Sequence, residues 1–261
     1  TPETNPFGLS NVGFYARPSF VDIDGDNDFD AFVGNYSGNT LFYRNTGTAN
    51  NPIFTAASTN PFGLSNVGYD VIPTFADIDG DGDFDAFVGK INNHGSLVFF
   101  QNTGTANSPV FAAAVAYPFG LNGGYIANPT FFDIDNDGDL DAFIGYQEWQ
   151  SYSATAFYRN IGTVNNPLFY ADNVGQFGLS ESGNSSLSFI DIDADGDLDA
   201  FGDNAVFYQN MGAANIPAFS GIYQFGLSGM ELNGHTYVTT VDIDGDGDFD
   251  VFVGAFDGRT L

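Results

Sequence analysis

Cysteine is absent from the 261-residue chain, which excludes disulfides and thiolate metal sites. Cationic side chains are nearly absent as well. Five Lys and Arg stand against 33 Asp and Glu, for a formal net charge of −28, and such a surface has little with which to neutralise phosphates. Nucleic acid and anionic membrane are therefore not expected as partners. No apolar run approaches the ~18 residues on which a spanning helix is read, so no membrane insertion is expected. Thr1 opens directly into repeat sequence without the charged and apolar regions of a signal peptide, as expected of a mature piece. Histidine is scarce too: His94 and His235 lie in separate Asn/Gly contexts, and no Ser occupies a nucleophile motif. Glu3, Glu148, Glu181 and Glu231 are scattered, whereas a glycosidase needs a carboxylate pair. No catalytic residue is assignable, and the chain is expected not to be an enzyme.

What is present is apolar and turn-rich. Apolar residues make up 43% of the chain, enough for a substantial core, and 33 Gly, 29 Phe and 13 Tyr favour strands joined by tight turns over helices. The whole pattern repeats. An aspartate run starts at Asp22, Asp77, Asp133, Asp191 and Asp242, at spacings of 55, 56, 58 and 51 residues. Phe-Gly-Leu recurs in phase at Phe7, Phe62, Phe119, Phe177 and Phe225, and Asn-x-Gly followed by Pro-x-Phe recurs at Asn45, Asn102, Asn160 and Asn210. A strand-rich unit with a period near ~50 residues points to a propeller or a β-solenoid, and solenoid coils are shorter.

The second unit shows how one copy is expected to fold. Pro73 to Ile78 alternates into the acidic loop, Phe84 to Val88 leaves it, Asn92 to Gly95 turns, Leu97 to Gln101 forms a third strand and Pro109 to Ala113 a fourth. Four short antiparallel strands make one blade. The expected fold is all-β: a β-propeller of about five four-stranded blades over residues 1–261, folding as one domain because each blade buries its faces only against neighbours. The fifth unit is expected to be incomplete. Asp257-Gly-Arg-Thr-Leu261 matches Ser37 to Leu41, and counterparts of roughly Phe42 to Ala56 do not follow it. That would leave an unpaired strand edge.

The acidic loops span residues 22–30, 77–85, 133–141, 191–199 and 242–250. Aspartates at alternate positions repel unless a cation lies among them. Calcium takes six to eight oxygens, and a loop with Asp at positions one, three and five and Gly at six curls so that the carboxylates converge. Gly82, Gly138, Gly196 and Gly247 hold the sixth position, with Asn27 in the first copy; both residue types tolerate positive φ. The metal residues are expected to be Asp22, Asp24, Asp26, Asp28 and Asp30; Asp77, Asp79, Asp81, Asp83 and Asp85; Asp133, Asp135, Asp137, Asp139 and Asp141; Asp191, Asp193, Asp195, Asp197 and Asp199; and Asp242, Asp244, Asp246, Asp248 and Asp250. The seventh-position residue (Asp83 in the second loop) is expected to bind through its backbone carbonyl, the others through carboxylates. An EF-hand would need Glu at loop position twelve, where Val33, Val88, Ile144, Gly202 and Val253 stand. The five loops hold 25 of the 33 acidic residues, and about five Ca²⁺ would bring the charge to roughly −18.

Asp-x-Asp-Gly-Asp-Gly-x-x-Asp followed by an apolar strand and Gly, at this period, resembles the FG-GAP/VCBS repeat family, the calcium-loop blades of integrin α-chain propellers and of many bacterial surface proteins. The resemblance covers the whole chain. It implies a propeller with one structural calcium per blade, bound between the first two strands. Asn27, Asn136 and Ala194 depart from the pattern without removing a carboxylate.

One segment breaks the repeat. Tyr146-Gln-Glu-Trp-Gln-Ser-Tyr152 is longer than its counterparts and holds the only Trp; Tyr146, Trp149 and Tyr152 form a candidate ligand loop for a glycan or a protein partner. Asn35-Tyr-Ser and Asn184-Ser-Ser fit the N-glycosylation pattern. The expected function is a non-enzymatic, extracellular or cell-surface adhesion or assembly module, with a protein partner or self-association through the open blade edge. A carbohydrate-binding propeller is the alternative, and a polysaccharide-processing enzyme or its accessory domain has the least support.

Overall fold

A computed structural model describes residues 3–91, 96–123, 126–147, 153–172, 176–179, 187–202, 206–213, 217–222 and 237–261. In unit one, β1 (Arg17–Val21) enters the acidic loop, β2 (Asp30–Gly34) leaves it, and β3 (Thr40–Tyr43) and β4 (Ser58–Thr59) complete an antiparallel sheet in sequence order. Unit two repeats this with β5 (Tyr69–Ala76), β6 (Asp85–Ile91), β7 (Ser96–Phe100) and β8 (Val115–Ala116). Unit three has β9 (Ile126–Phe132), β10 (Asp141–Gln147), β11 (Ser153–Asn160) and β12 (Phe169–Ala171). Unit four has β13 (Leu187–Ile190), β14 (Asp199–Gly202), β15 (Val206–Asn210) and β16 (Phe219–Ile222). A single bridge, Ile91 to Ile126, links the sheets of units two and three. The fifth unit pairs β17 (Tyr237–Val241) with β18 (Asp250–Gly254), and Val253 and Leu261 exchange two backbone hydrogen bonds of 2.9 Å where a third strand begins.

The protein is thus all-β, with four-stranded antiparallel sheets arranged in a ring in the manner of a β-propeller. The innermost strands β1, β5, β9, β13 and β17 line one central cavity of ≈ 330 Å³. Hydroxyls on these strands bind the next strand around the cavity: Thr74 donates to the Pro129 carbonyl at 3.0 Å, Thr130 to Leu187 at 2.9 Å and Thr239 to Pro18 at 2.9 Å. Phenylalanines fill the spaces between sheets. Phe32 meets Phe75 of the next unit with ring centroids 4.4 Å apart, and Phe87 meets Phe131 at 4.3 Å.

The glycine at the fifth residue of the second strand has a packing reason. A Cβ on Gly34 would lie 2.0 Å from the Val71 carbonyl oxygen, and one on Gly89 would lie 1.7 Å from that of Ala127, so only Gly lets the next unit's backbone approach. The same contact joins the two ends of the ring: a Cβ on Gly254 would lie 2.1 Å from the Ala16 oxygen. Phe20 and Phe252 pack at 4.4 Å, as Phe75 and Phe32 do. Val71 NH bonds Asn35 O at 3.2 Å, and Ala16 NH bonds Ala255 O at 3.1 Å. Asn5 NH donates to Thr260 O at 2.6 Å while Thr260 NH bonds the Asn5 side chain at 2.9 Å, repeating the Asn60–Thr40 pair.

Phe-Gly-Leu proves to be a turn that plugs the space between units. Phe7, Phe62, Phe119 and Phe177 hold φ between 53° and 65°, costly for a bulky L-residue. Packing supports this conformation: Phe62 meets Phe42 edge-on at 5.0 Å, and Phe119 and Phe177 meet Phe99 and Phe157 likewise.

The strand expected at Pro109 to Ala113 is not one. Its fourth strand is Val115–Ala116, and Phe111 makes only an isolated bridge to Asn102. Pro109 has no NH, the Val110 NH goes to the Asn102 side chain and the Phe111 NH to the Phe62 carbonyl; these donors are taken before a ladder can form.

Candidate metal centres and an exposed aromatic surface

Each acidic loop lies between the first and second strands of its unit. In the second loop, the Asp77 carboxylate accepts from Asp81 NH and Gly82 NH at 3.1 Å each, and Asp81 accepts from Asp83 NH at 3.1 Å. The aspartates at positions one and five therefore fold the loop by accepting from its backbone NH groups, Asp77 with both carboxylate oxygens. Equivalent bonds fold the other four. The sixth position has positive φ throughout, 68° at Asn27 and 92° at Gly82 for example. The fourth does too, including Asn136 and Ala194.

In all five loops the carboxylates at positions one, three and five offer oxygens within 4.8 Å of one another. The third, seventh and ninth positions add a sharper sign. Buried oxygens without a hydrogen-bond partner are Asp24 Oδ1, Asp28 Oδ1 and Asp30 Oδ2 in the first loop, and Asp79 Oδ1, Asp83 Oδ1 and Asp85 Oδ2 in the second. The third loop repeats the set at Asp135, Asp139 and Asp141; Asp197 and Asp199 supply it in the fourth and Asp244 in the fifth. An ionised oxygen buried without a donor costs several kcal/mol unless a cation meets it. Burial pushes Asp30, Asp85 and Asp141 up to about 7, against a backbone hydrogen bond that lowers each. Asp28, Asp83, Asp139 and Asp197 are raised for the same first reason, with neighbouring carboxylates adding to it. The donor set is all oxygen, and it fits a hard divalent ion. At the seventh position, expected to contribute its backbone carbonyl, a carboxylate oxygen of Asp28, Asp83, Asp139 and Asp197 is buried without a hydrogen-bond partner as well.

Two supports for the loops escaped the reading of the sequence. The ninth aspartate is held by the backbone NH of an asparagine on the third strand or just after it: Asn45 to Asp30 at 2.7 Å, Asn102 to Asp85 at 2.6 Å, Asn160 to Asp141 and Asn210 to Asp199 at 2.7 Å. That asparagine's side chain folds the following hairpin by accepting from the NH groups two and eight residues on, as Asn102 does from Gly104 and Val110 at 3.0 Å. This explains Asn-x-Gly. The residue before it reaches the third aspartate: Gln101 donates to Asp79 at 3.1 Å, Gln209 to Asp193 at 3.0 Å, and Arg44 and Arg159 pair with Asp24 and Asp135. The second support crosses between units. Asn107 donates to the Asp24 carbonyl at 3.0 Å, Asn165 to Asp79 at 2.8 Å and Asn50 to Asp244 at 2.9 Å, so these three hairpin tips latch onto the preceding unit's acidic loop. Their common spacing after Asn45, Asn102 and Asn160 was the available signal.

At the strand ends away from the acidic loops, rings form a continuous chain, exposed except at the half-buried Tyr15. Phe14 packs on Phe256 at 5.8 Å, Phe256 on Tyr15 at 4.8 Å, Tyr15 on Tyr36 at 5.7 Å and Tyr36 on Tyr69 at 5.7 Å. Phe14 is 58% and Tyr69 64% exposed. Beneath it Arg17 and Asp70, each 2% exposed, form a bidentate ion pair with bonds of 2.8 to 3.0 Å. Of the sequence-derived ligand loop, Trp149 and Tyr152 lie outside the described residues, and Tyr146 is described only as part of β10. His94, His235 and Asn184 also lie outside them. Asn35 is buried, donating to the Val12 carbonyl at 3.1 Å and accepting from Asn39 NH at 3.1 Å, and so does not present an accessible acceptor for glycosylation.

A ring of antiparallel four-stranded sheets, each with an acidic loop able to hold a cation between its first two strands, defines a repeat propeller. The FG-GAP-like repeat model matches residues 22–88 and again 77–144, so this part of the chain is similar to repeats of that family. No curated protein matches the chain. Among the described residues no helix is long and apolar enough to cross a membrane.

Proposed function

We propose that residues 1–261 form one five-bladed propeller, rigidified by about five structural Ca²⁺, that serves as a non-enzymatic extracellular adhesion or assembly module with a protein partner or another copy of itself. The observation that carries this reading is the in-phase set of buried, unpartnered carboxylate oxygens at loop positions three, seven and nine. Five oxygens per loop with flexible geometry favour calcium over magnesium, which demands a tight octahedron. The repeated junctions, including the one between the fifth and first units, favour five blades. Loops that need abundant calcium suit the outside of a cell, and FG-GAP-like repeats occur in such proteins.

The test is melting with and without chelator, beside calorimetric calcium titration. Calcium that binds only the folded chain stabilises it, so EDTA is expected to lower the melting temperature by many degrees, and the titration to report about five ions. An unchanged melting curve would remove the reading. A carbohydrate-binding role is a second reading, favoured by the exposed Phe14–Phe256–Tyr15–Tyr36–Tyr69 chain, whose rings can stack on sugar faces. A glycan array with the wild type and Tyr69→Ala separates the two.

A further inference from the structure

The central cavity is lined by none of the loop aspartates and by none of the five rings of the aromatic chain. Its lining repeats with the units. Three residues before each acidic loop every innermost strand carries a hydroxyl, at Ser19, Thr74, Thr130, Ser188 and Thr239, and all five line the cavity. They are half-buried, so solvent reaches them. Two residues earlier on their strands stand Arg17, Ile72, Asn128 and Tyr237, which line it as well.

Most of the hydroxyl protons are already committed. Thr74, Thr130 and Thr239 donate to carbonyls of the next strand, and the Ser188 and Thr240 hydroxyls share one bond of 2.7 Å. The threonine oxygens therefore offer the cavity lone pairs rather than protons. Two polar side chains of the lining lack such a partner. Among the described residues neither Ser19 nor Asn128 makes a side-chain hydrogen bond, although Asn128 is only 6% exposed and lines the cavity; a buried amide normally has a partner. Among the described residues the one charged side chain of the lining is Arg17, and Asp70 holds it in the bidentate pair. The cavity is thus left with no charge to balance that of an ion.

We propose that the central cavity is a binding site for a small neutral polyhydroxylated molecule, a polyol or a monosaccharide. Hydroxyl groups of the ligand donate to the ring of threonine and serine oxygens, and the Asn128 amide both donates to the ligand and accepts from it. Pro18, Pro73, Pro129 and Val238 make apolar wall between these groups, which suits the C–H faces of such a molecule. Volume bounds its size: the cavity of ≈ 330 Å³ is at the small end of the roughly 300–1,000 Å³ range of ligand pockets. An anion would meet the ring of acceptors and a cation would meet Arg17, so charge selects against both. The site is separate from the acidic loops and from the exposed rings, and the proposal stands apart from the readings placed on them.

The probes are xylitol, sorbitol and glucose, titrated by calorimetry into the calcium-loaded chain, with gluconate and glucosamine as charged counterparts. Saturable one-to-one binding of at least one neutral probe is expected, and the tighter of sorbitol and glucose tells whether the open chain or the ring is preferred. Asn128→Leu is expected to bind that probe at least about tenfold more weakly, while Tyr69→Ala, on the exposed rings, binds it as the wild type does. Should Asn128→Leu fail to fold, Ser19→Ala replaces it, since that hydroxyl holds no other described residue; a loss of about fivefold is expected there. Absence of saturable binding of every neutral probe, tighter binding of gluconate or glucosamine, or an affinity within about twofold of the wild type in the folded cavity variant overturns the proposal. Loss of binding in Tyr69→Ala overturns it too, because the sugar then sits on the exposed rings.

Discussion

At the scale of single residues, the acidic loops are held by groups that do not themselves face the cradle. Asn102 is 3% exposed and accepts from two loop NH groups, so Asn102→Ala leaves both donors without their acceptor. A loss of about 2–4 kcal/mol is expected from denaturant unfolding, and a loss below ~0.5 kcal/mol would mean that water replaces the side chain at no cost. The ninth aspartates set a pH dependence whose sign depends on metal. With chelator present, Asp30, Asp85 and Asp141 have folded-state values raised to about 7 from an unfolded value near 4. Their contribution is therefore fully present below about pH 4 and is lost as the pH rises to about 7. With saturating calcium, protons compete with the ion for the same oxygens, so stability should rise over that window. Melting curves at several pH values, with EDTA and with calcium, test this; parallel trends would contradict it.

At the scale of elements, the junction between neighbouring sheets is governed by a glycine and a phenylalanine pair. Gly89→Ala places a methyl group against the Ala127 carbonyl, where an ideal Cβ would be 1.7 Å away, and the obstacle is backbone in the core of the ring. A loss above about 4 kcal/mol, or failure to fold, is expected. Expression with a native-like melting transition would show that the sheets can slide apart. The strands around each loop were legible because alternation and the Asp-to-apolar switch are local patterns. The fourth strand of unit two was not, because the donors of Val110 and Phe111 are claimed by Asn102 and by Phe62 of the preceding plug. Those partners adjoin it only after the chain has folded.

At the scale of the whole molecule, the junction between the fifth and first units repeats the contacts of the other junctions without a covalent connection across it. Asn50 to Asp244, Ala16 to Ala255, Thr239 to Pro18 and Asn5 to Thr260 hold it. Local opening is easiest where fewest restraints act. The Ala16 amide is therefore expected to exchange with solvent faster than Val71, its equivalent at the junction of units one and two. Equal protection in native-state hydrogen exchange would mean that the ring opens only by global unfolding.

The sequence by itself determined the period, the strand-rich unit, the positions of five acidic loops and their all-oxygen set of side chains, since all of these follow from residues close together in the chain. Only the tertiary structure decided that a position-seven carboxylate oxygen is buried without a hydrogen-bond partner in four loops, that the asparagine of Asn-x-Gly clamps the ninth aspartate, and that Asn50 reaches a loop 194 residues away. Burial and long-range hydrogen bonding depend on which backbone arrives alongside. In this chain the ring brings that backbone from the neighbouring unit.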